Sequence, residues 1–165
     1  MPYLEEVPML KKPNAPLVAL LLALAVAAPA AAHEHAHHHA APVPKKLALN
    51  AGQPWPTDAP LRQAMGRIRQ ALAGELPQIH AQRLDAAAYA VLARTVEAEV
   101  GNIVADCRLE PAADAQLHLI VADLLAGSRQ MAGKKQRQAG AVKVVQALNN
   151  YATYFADPGF SRLDH

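Results

Sequence analysis

Five imidazoles crowd into one seven-residue stretch, His33-Glu34-His35-Ala36-His37-His38-His39. Neutral imidazole is a common ligand for zinc, copper and nickel. In an extended chain His33, His35, His37 and His39 project to one side, because successive side chains alternate. If the chain is cut after Ala32, His35 becomes the third residue of a new terminus. The free amine, two deprotonated backbone amides and that imidazole then form a square-planar nitrogen site suited to Cu(II) or Ni(II). A cut one residue away leaves only the looser cluster. His33, His35, His37, His38 and His39 are therefore the expected metal ligands, and Cu(II), Ni(II) and Zn(II) the expected metals.

A second set draws on Met65, Cys107 and His118. Thioether, thiolate and imidazole together suit Cu(I), which soft sulfur ligands select. Met65 and Cys107, however, both fall on apolar stripes, where they read as core. His118 follows Asp114 by four residues, the spacing of a surface pair on a helix. Cys107 is the only cysteine, so it cannot form an intramolecular disulfide. It is a buried thiol, an intermolecular partner or a ligand.

The elements around these residues begin with an address. Lys11 and Lys12 precede an unbroken apolar run, Leu17 to Ala28, and then Ala30-Ala31-Ala32. Positive region, apolar core and small-residue cleavage site follow the order of a secretory signal peptide. The run is short of the ~20 residues that span a bilayer. Residues 1–32 are expected to be the signal peptide, which leaves an exported, periplasmic chain without a membrane span. Residues 33–57 are rich in histidine and proline, including Pro42, Pro44, Pro54 and Pro56. Proline removes backbone donors and fixes φ, so a disordered, extended arm is expected there, with Trp55 docking its end onto the folded part.

Residues 58–160 read as four helices. Aromatics are only 4% of the chain and alanine and leucine dominate, which favours helix over sheet. Asp58 is a plausible N-cap and Pro60 suits a first turn. Leu61, Met65, Ile68, Leu72, Leu76 and Ile79 follow at helical spacing, with Pro77 as a possible early end or kink. Asp85 caps a second helix with Tyr89, Leu92, Val96, Val100, Ile103 and Cys107 on one stripe. Glu110-Pro111 opens a third, carrying Leu117, Ile120 or Val121, Leu124 and Met131. Gly133 to Gly140 is polar, basic and bounded by glycines. It reads as a solvated connection, with docking of an acidic partner as the functional alternative. The fourth helix carries Val144 or Val145, Leu148, Tyr151 or Ala152, and Phe155, and Asp157-Pro158-Gly159 stops it. Residues 161–165 are left as a tail. Short connections favour antiparallel neighbours, hence an all-α, up-down-up-down four-helix bundle. That topology gathers Trp55, Met65, Cys107, His118, Tyr151 and Phe155 toward one end, and His80 and Met131 toward the other.

The chain carries no Gly-rich phosphate loop, nucleophile elbow, His-Glu-x-x-His or paired-carboxylate constellation, so no enzyme is expected. The net charge of +2 gives no strong pull toward nucleic acid or an anionic membrane. Leu61-x-x-x-Met65-x-x-Ile68-x-x-x-Leu72 looks like the first helix of cytochrome b562-type bundles, in which a methionine is an axial haem ligand. The histidine which that resemblance requires in the fourth helix is missing, as is Cys-x-x-Cys-His, and haem is not expected.

Three further segments, Leu49 to Arg62, Asp106 to His118 and Val144 to Tyr151, together with the histidine-rich terminus, resemble a group of small exported proteobacterial helical-bundle proteins of unassigned function. The resemblance implies a periplasmic helical bundle and no activity. The resulting expectation is a metal-binding or metal-buffering protein that uses the His-rich arm and has a possible periplasmic protein partner. The alternative is a non-enzymatic interaction or ligand-sensing bundle with an incidental tail.

Overall fold

A computed structural model of the chain describes residues 44–164. Among them the regular structure is entirely helical: α1 (Ala59–His80), α2 (Ala86–Asp106), α3 (Pro111–Ala132) and α4 (Arg137–Tyr154). Each helix packs against its neighbours in the chain, and α1 also meets α4, an arrangement consistent with a four-helix bundle. No helix among the described residues is long and apolar enough to cross a membrane.

The starts are locally encoded. Asp58 is extended (φ −99°, ψ 173°), and its Oδ1 accepts the Leu61 N–H at 2.9 Å, with Pro60 in the first turn. Asp85 repeats the device, accepting the Ala88 N–H at 2.8 Å. Each side chain satisfies one amide that the first helical turn leaves without a partner. Pro111 opens α3, where its missing N–H costs nothing.

Leu61, Met65, Ile68, Leu72 and Ile79 are buried along α1, and Leu76 packs partly buried against the core. Pro77 does not end the helix: α1 runs on to His80, anchored by Ile79, and the Ala81 N–H returns to the Pro77 carbonyl. On α2, Tyr89, Leu92, Val96, Val100 and Ile103 are buried, but the helix stops at Asp106 and Cys107 is its extended C-cap. In α3 Ile120 is fully covered and Val121 only partly; in α4 Val144 and Val145 are both buried.

The expected connection from Gly133 to Gly140 is corrected. Only Gly133–Gln136 lie between helices, with Gln136 left-handed at φ 62°, and α4 starts at Arg137. Gly140 lies inside α4 and is buried, because α3 passes directly across it. A Cβ on Gly140 would come within 2.6 Å of the Gly127 carbonyl oxygen; one on Gly127 would come within 2.7 Å of the Gly140 oxygen. These glycines are contact points between two backbones rather than helix breakers.

Both ends of the folded part are tied down. Asn50 and Gln53 exchange backbone hydrogen bonds of 2.8 and 2.9 Å across a tight turn with Ala51 and Gly52 at φ 47° and 85°. Trp55 then pairs with the residues around Phe155. Its N–H donates to the Tyr154 carbonyl at 2.8 Å, and its own carbonyl accepts the Ala156 N–H at 2.8 Å. The indole Nε1 donates to the Ala48 carbonyl at 2.7 Å, and the Ala48 N–H reaches Gln116 Oε1 at 2.9 Å. Thus residues 47–57 form a docked strap within the stretch expected to be an arm. Leu163, within the expected tail, is buried because Asn149 bonds both its N–H and its carbonyl.

Candidate functional site

The five histidines of the leading sequence expectation, His33, His35, His37, His38 and His39, lie outside the described residues. The second set is partly brought together. Cys107, at the end of α2, and His118, on the second turn of α3, line one small cavity of about 280 Å³ with Ile103, Val104, Asp114, Leu117 and Val121. Met65 does not line it. Its side chain is completely buried, because its place on the α1 stripe turns it into the core.

Asp58 organises this end of the fold. While Oδ1 caps α1, Oδ2 accepts the Arg108 N–H at 2.6 Å. One carboxylate therefore ties the start of α1 to the α2–α3 turn. Burial works to raise its pKa, but the Arg108 and Leu61 amides, the Cys107 thiol and the charge of Arg62 together hold it below the usual carboxylate value.

That arrangement decides the chemistry of Cys107. Partial burial, the negative charge of Asp58, the hydrogen bond to it and the nearby Asp114 push the thiol up to about 12, against a smaller opposite pull from Arg108. A nucleophilic or metal-binding cysteine needs the thiolate, and here the surroundings favour the protonated form. His118 is exposed; its Nδ1 lies 2.8 Å from the Asp114 carbonyl oxygen and 3.4 Å from Asp114 Oδ2. Its Nδ1 is thus engaged by its own helix, as the i, i+4 spacing anticipates. Among the described residues, no three His, Cys, Asp or Glu side chains converge to hold a metal ion.

What the cavity offers is an apolar lining with three polar groups at its edge. Val104 beside it is 73% exposed, the most exposed large apolar side chain among the described residues. The nearby aromatic cluster is structural. Tyr151 stacks on Phe155 and meets Phe160 edge-on, with centroids 5.5 and 4.9 Å apart. Its hydroxyl donates to Asp157 Oδ2 at 3.0 Å. Burial first, and then the Asp157 charge, push that phenol strongly upward, so it stays neutral.

Sequence reasoning missed the second role of Asp58, because its partner Arg108 is 50 residues away. Only the cap half of its function has a local signal. Compared with known proteins, the chain matches no family model, no curated protein and no solved structure.

Proposed function

We propose that this chain is an exported, periplasmic metal-binding or metal-buffering protein, with His33, His35, His37, His38 and His39 as ligands for Cu(II), Ni(II) or Zn(II). The observation that carries this reading is the density of imidazoles immediately behind a small-residue cleavage signal. The four helices form the anchor, in an up-down-up-down bundle. Three contacts support that topology: Asp58 against Arg108, Trp55 against Tyr154, and Gln138 Nε2 against the Ile79 carbonyl at 3.2 Å. They bring the α1 start to the α2 end and the α4 end, and the α1 end to the α4 start. The strap through Trp55 and Ala48 gives the histidine-bearing segment a firm base. The protein is non-catalytic, and the high thiol pKa of Cys107 supports its exclusion as a nucleophile.

Titration calorimetry of the processed protein tests the reading. Cu(II), Ni(II) or Zn(II) binding should be present and should vanish on deleting residues 33–39. Unchanged binding after the deletion, or no binding at all, would overturn it.

A second reading rests on the cavity beside Val104. Its apolar walls and polar edge suit an apolar group from a protein partner or a small signal molecule. In that case deletion of residues 33–39 leaves metal tolerance unchanged, while Val104→Asp abolishes partner binding.

A further inference from the structure

The charge of the folded part is concentrated at one pole. The Gln138–Ile79 hydrogen bond holds the start of α4 against the end of α1. The α1–α2 turn, the end of α3 and the α3–α4 turn therefore share that pole. They bring together Arg83, Arg129, Lys134, Lys135 and Arg137, the first four of them exposed and Arg137 half-buried. Against these five cations stand only Glu75 and Asp85, and Asp85 is engaged as the α2 cap. Elsewhere in residues 44–164 acidic and basic residues are equal in number, so the excess positive charge belongs to this pole.

Most other cations among the described residues are engaged, with Lys45, Lys46 and Arg94 the exceptions. Arg62, Arg67, Arg69, Arg108 and Arg162 all donate to neighbouring groups. Among the described residues, Arg83, Arg129, Lys134, Lys135 and Arg137 form no ion pair and no side-chain hydrogen bond; the lysine and arginine ion pairs are Arg67–Glu99 and Lys143–Asp123. On the same turns and helix end Gln82 and Gln136 are exposed and Gln130 is half-buried. The one aromatic nearby, Tyr89, is buried. A stable protein interface would present aromatic anchors and little lysine, and a single-strand nucleic-acid site would present stacking rings. Cations spread over helix ends and turns, without such anchors, fit a hydrated plane of phosphate groups.

We propose that this pole is a docking surface for the headgroups of an anionic phospholipid bilayer. The strap that leads back toward the histidines is docked at the opposite pole, by Trp55 against Tyr154. The 22 residues of α1 separate the two poles by about 33 Å. Docked this way, the protein holds the base of its histidine-bearing segment away from the membrane.

Vesicle sedimentation of the processed protein tests the proposal, with phosphatidylcholine alone or mixed with phosphatidylglycerol. Binding is expected only to the mixed vesicles and should disappear at high salt. Each lysine or arginine near such a surface contributes roughly a fivefold gain in partition. Lys134→Glu combined with Lys135→Glu should therefore weaken binding by at least about tenfold, with circular dichroism unchanged. Arg83→Glu, on a different turn, should weaken it in the same direction. Deletion of residues 33–39 should leave it intact, which separates this surface from the metal-binding segment. Three results would overturn the proposal: equal binding to both vesicle types, binding untouched by the charge reversals, or retention by a soluble polyphosphate without any by vesicles.

Discussion

Asp58 Oδ2 accepts the backbone N–H of Arg108 at 2.6 Å, while its other oxygen caps α1 through Leu61. One side chain thus joins two segments that lie 50 residues apart in the chain. Asp58→Ala should remove the cap, worth about 1 kcal/mol, and a charge-assisted bond, worth roughly 1.5–3 kcal/mol. The expected loss is about 2–4 kcal/mol in urea unfolding. The folded-state pKa is depressed, so the stabilisation is full above the ordinary carboxylate value of about 4. It declines as pH falls through the lower folded value. Wild type should therefore lose stability on acidification below pH ~4 by more than Asp58→Asn does.

Cys107 should behave as an inert thiol. With its pKa pushed up to about 12, its thiolate fraction at pH 8 is far below that of a free cysteine. Higher intrinsic nucleophilicity offsets part of the deficit. Iodoacetamide labelling of the folded protein should be on the order of a hundredfold slower than of the urea-unfolded chain. The raised value also gives a stability term that is complete below the ordinary thiol pKa of about 8.5 and fades as pH rises above it. Cys107→Ala should flatten that alkaline decline. Labelling as fast as in the unfolded chain would refute the description of this site.

The α3–α4 crossing should be intolerant of a single methyl group. Gly127→Ala places Cβ 2.6 Å from Val144 Cγ2 and 2.7 Å from the Gly140 oxygen; Gly140→Ala meets the Gly127 oxygen at 2.6 Å. Backbone atoms cannot step aside without separating the helices, so each change should cost about 1–3 kcal/mol. Gly74→Ala is the control, since nothing lies within 4 Å of its added Cβ. It should stabilise by roughly 0.5–1 kcal/mol through helix propensity. Thermal melts of the three variants decide the matter.

Asn149 should hold the chain beyond α4 in place. Its Nδ2 donates to the Leu163 carbonyl at 2.9 Å, and its Oδ1 accepts the Leu163 N–H at 2.8 Å, both buried. Asn149→Ala leaves two buried backbone groups without partners, at roughly 1–3 kcal/mol each unless the segment releases to water. Release is the expected outcome: faster amide exchange at Leu163 and faster proteolysis after Arg162, with the helical signal retained. Leu163→Ala should produce the same release by losing burial.

Helix positions were legible because their causes are local. A cap needs an oxygen within three residues, as at Asp58 and Asp85. An apolar stripe needs only the 3.6-residue period, as from Leu61 to Ile79. The docking of Trp55 was also readable, since a lone indole between prolines has few other places to go. The histidine cluster is likewise wholly a property of sequence.

Tertiary structure decided what each residue does once distant segments meet. Gly140 reads locally as a helix boundary, yet it lies inside α4, where the Gly127 backbone comes too close for a side chain. Cys107 and His118 carry ligand chemistry by type, yet burial and the Asp58 charge keep the thiol protonated, and the Asp114 carbonyl engages Nδ1 of the imidazole. The loop cations become a charged pole only when Arg83 and Arg129 join them. Periodicity and capping act within one turn of helix, so sequence alone determines them. Thiol acidity, backbone clearance and the shape of a charged surface depend on groups tens of residues apart, and only the fold brings those together.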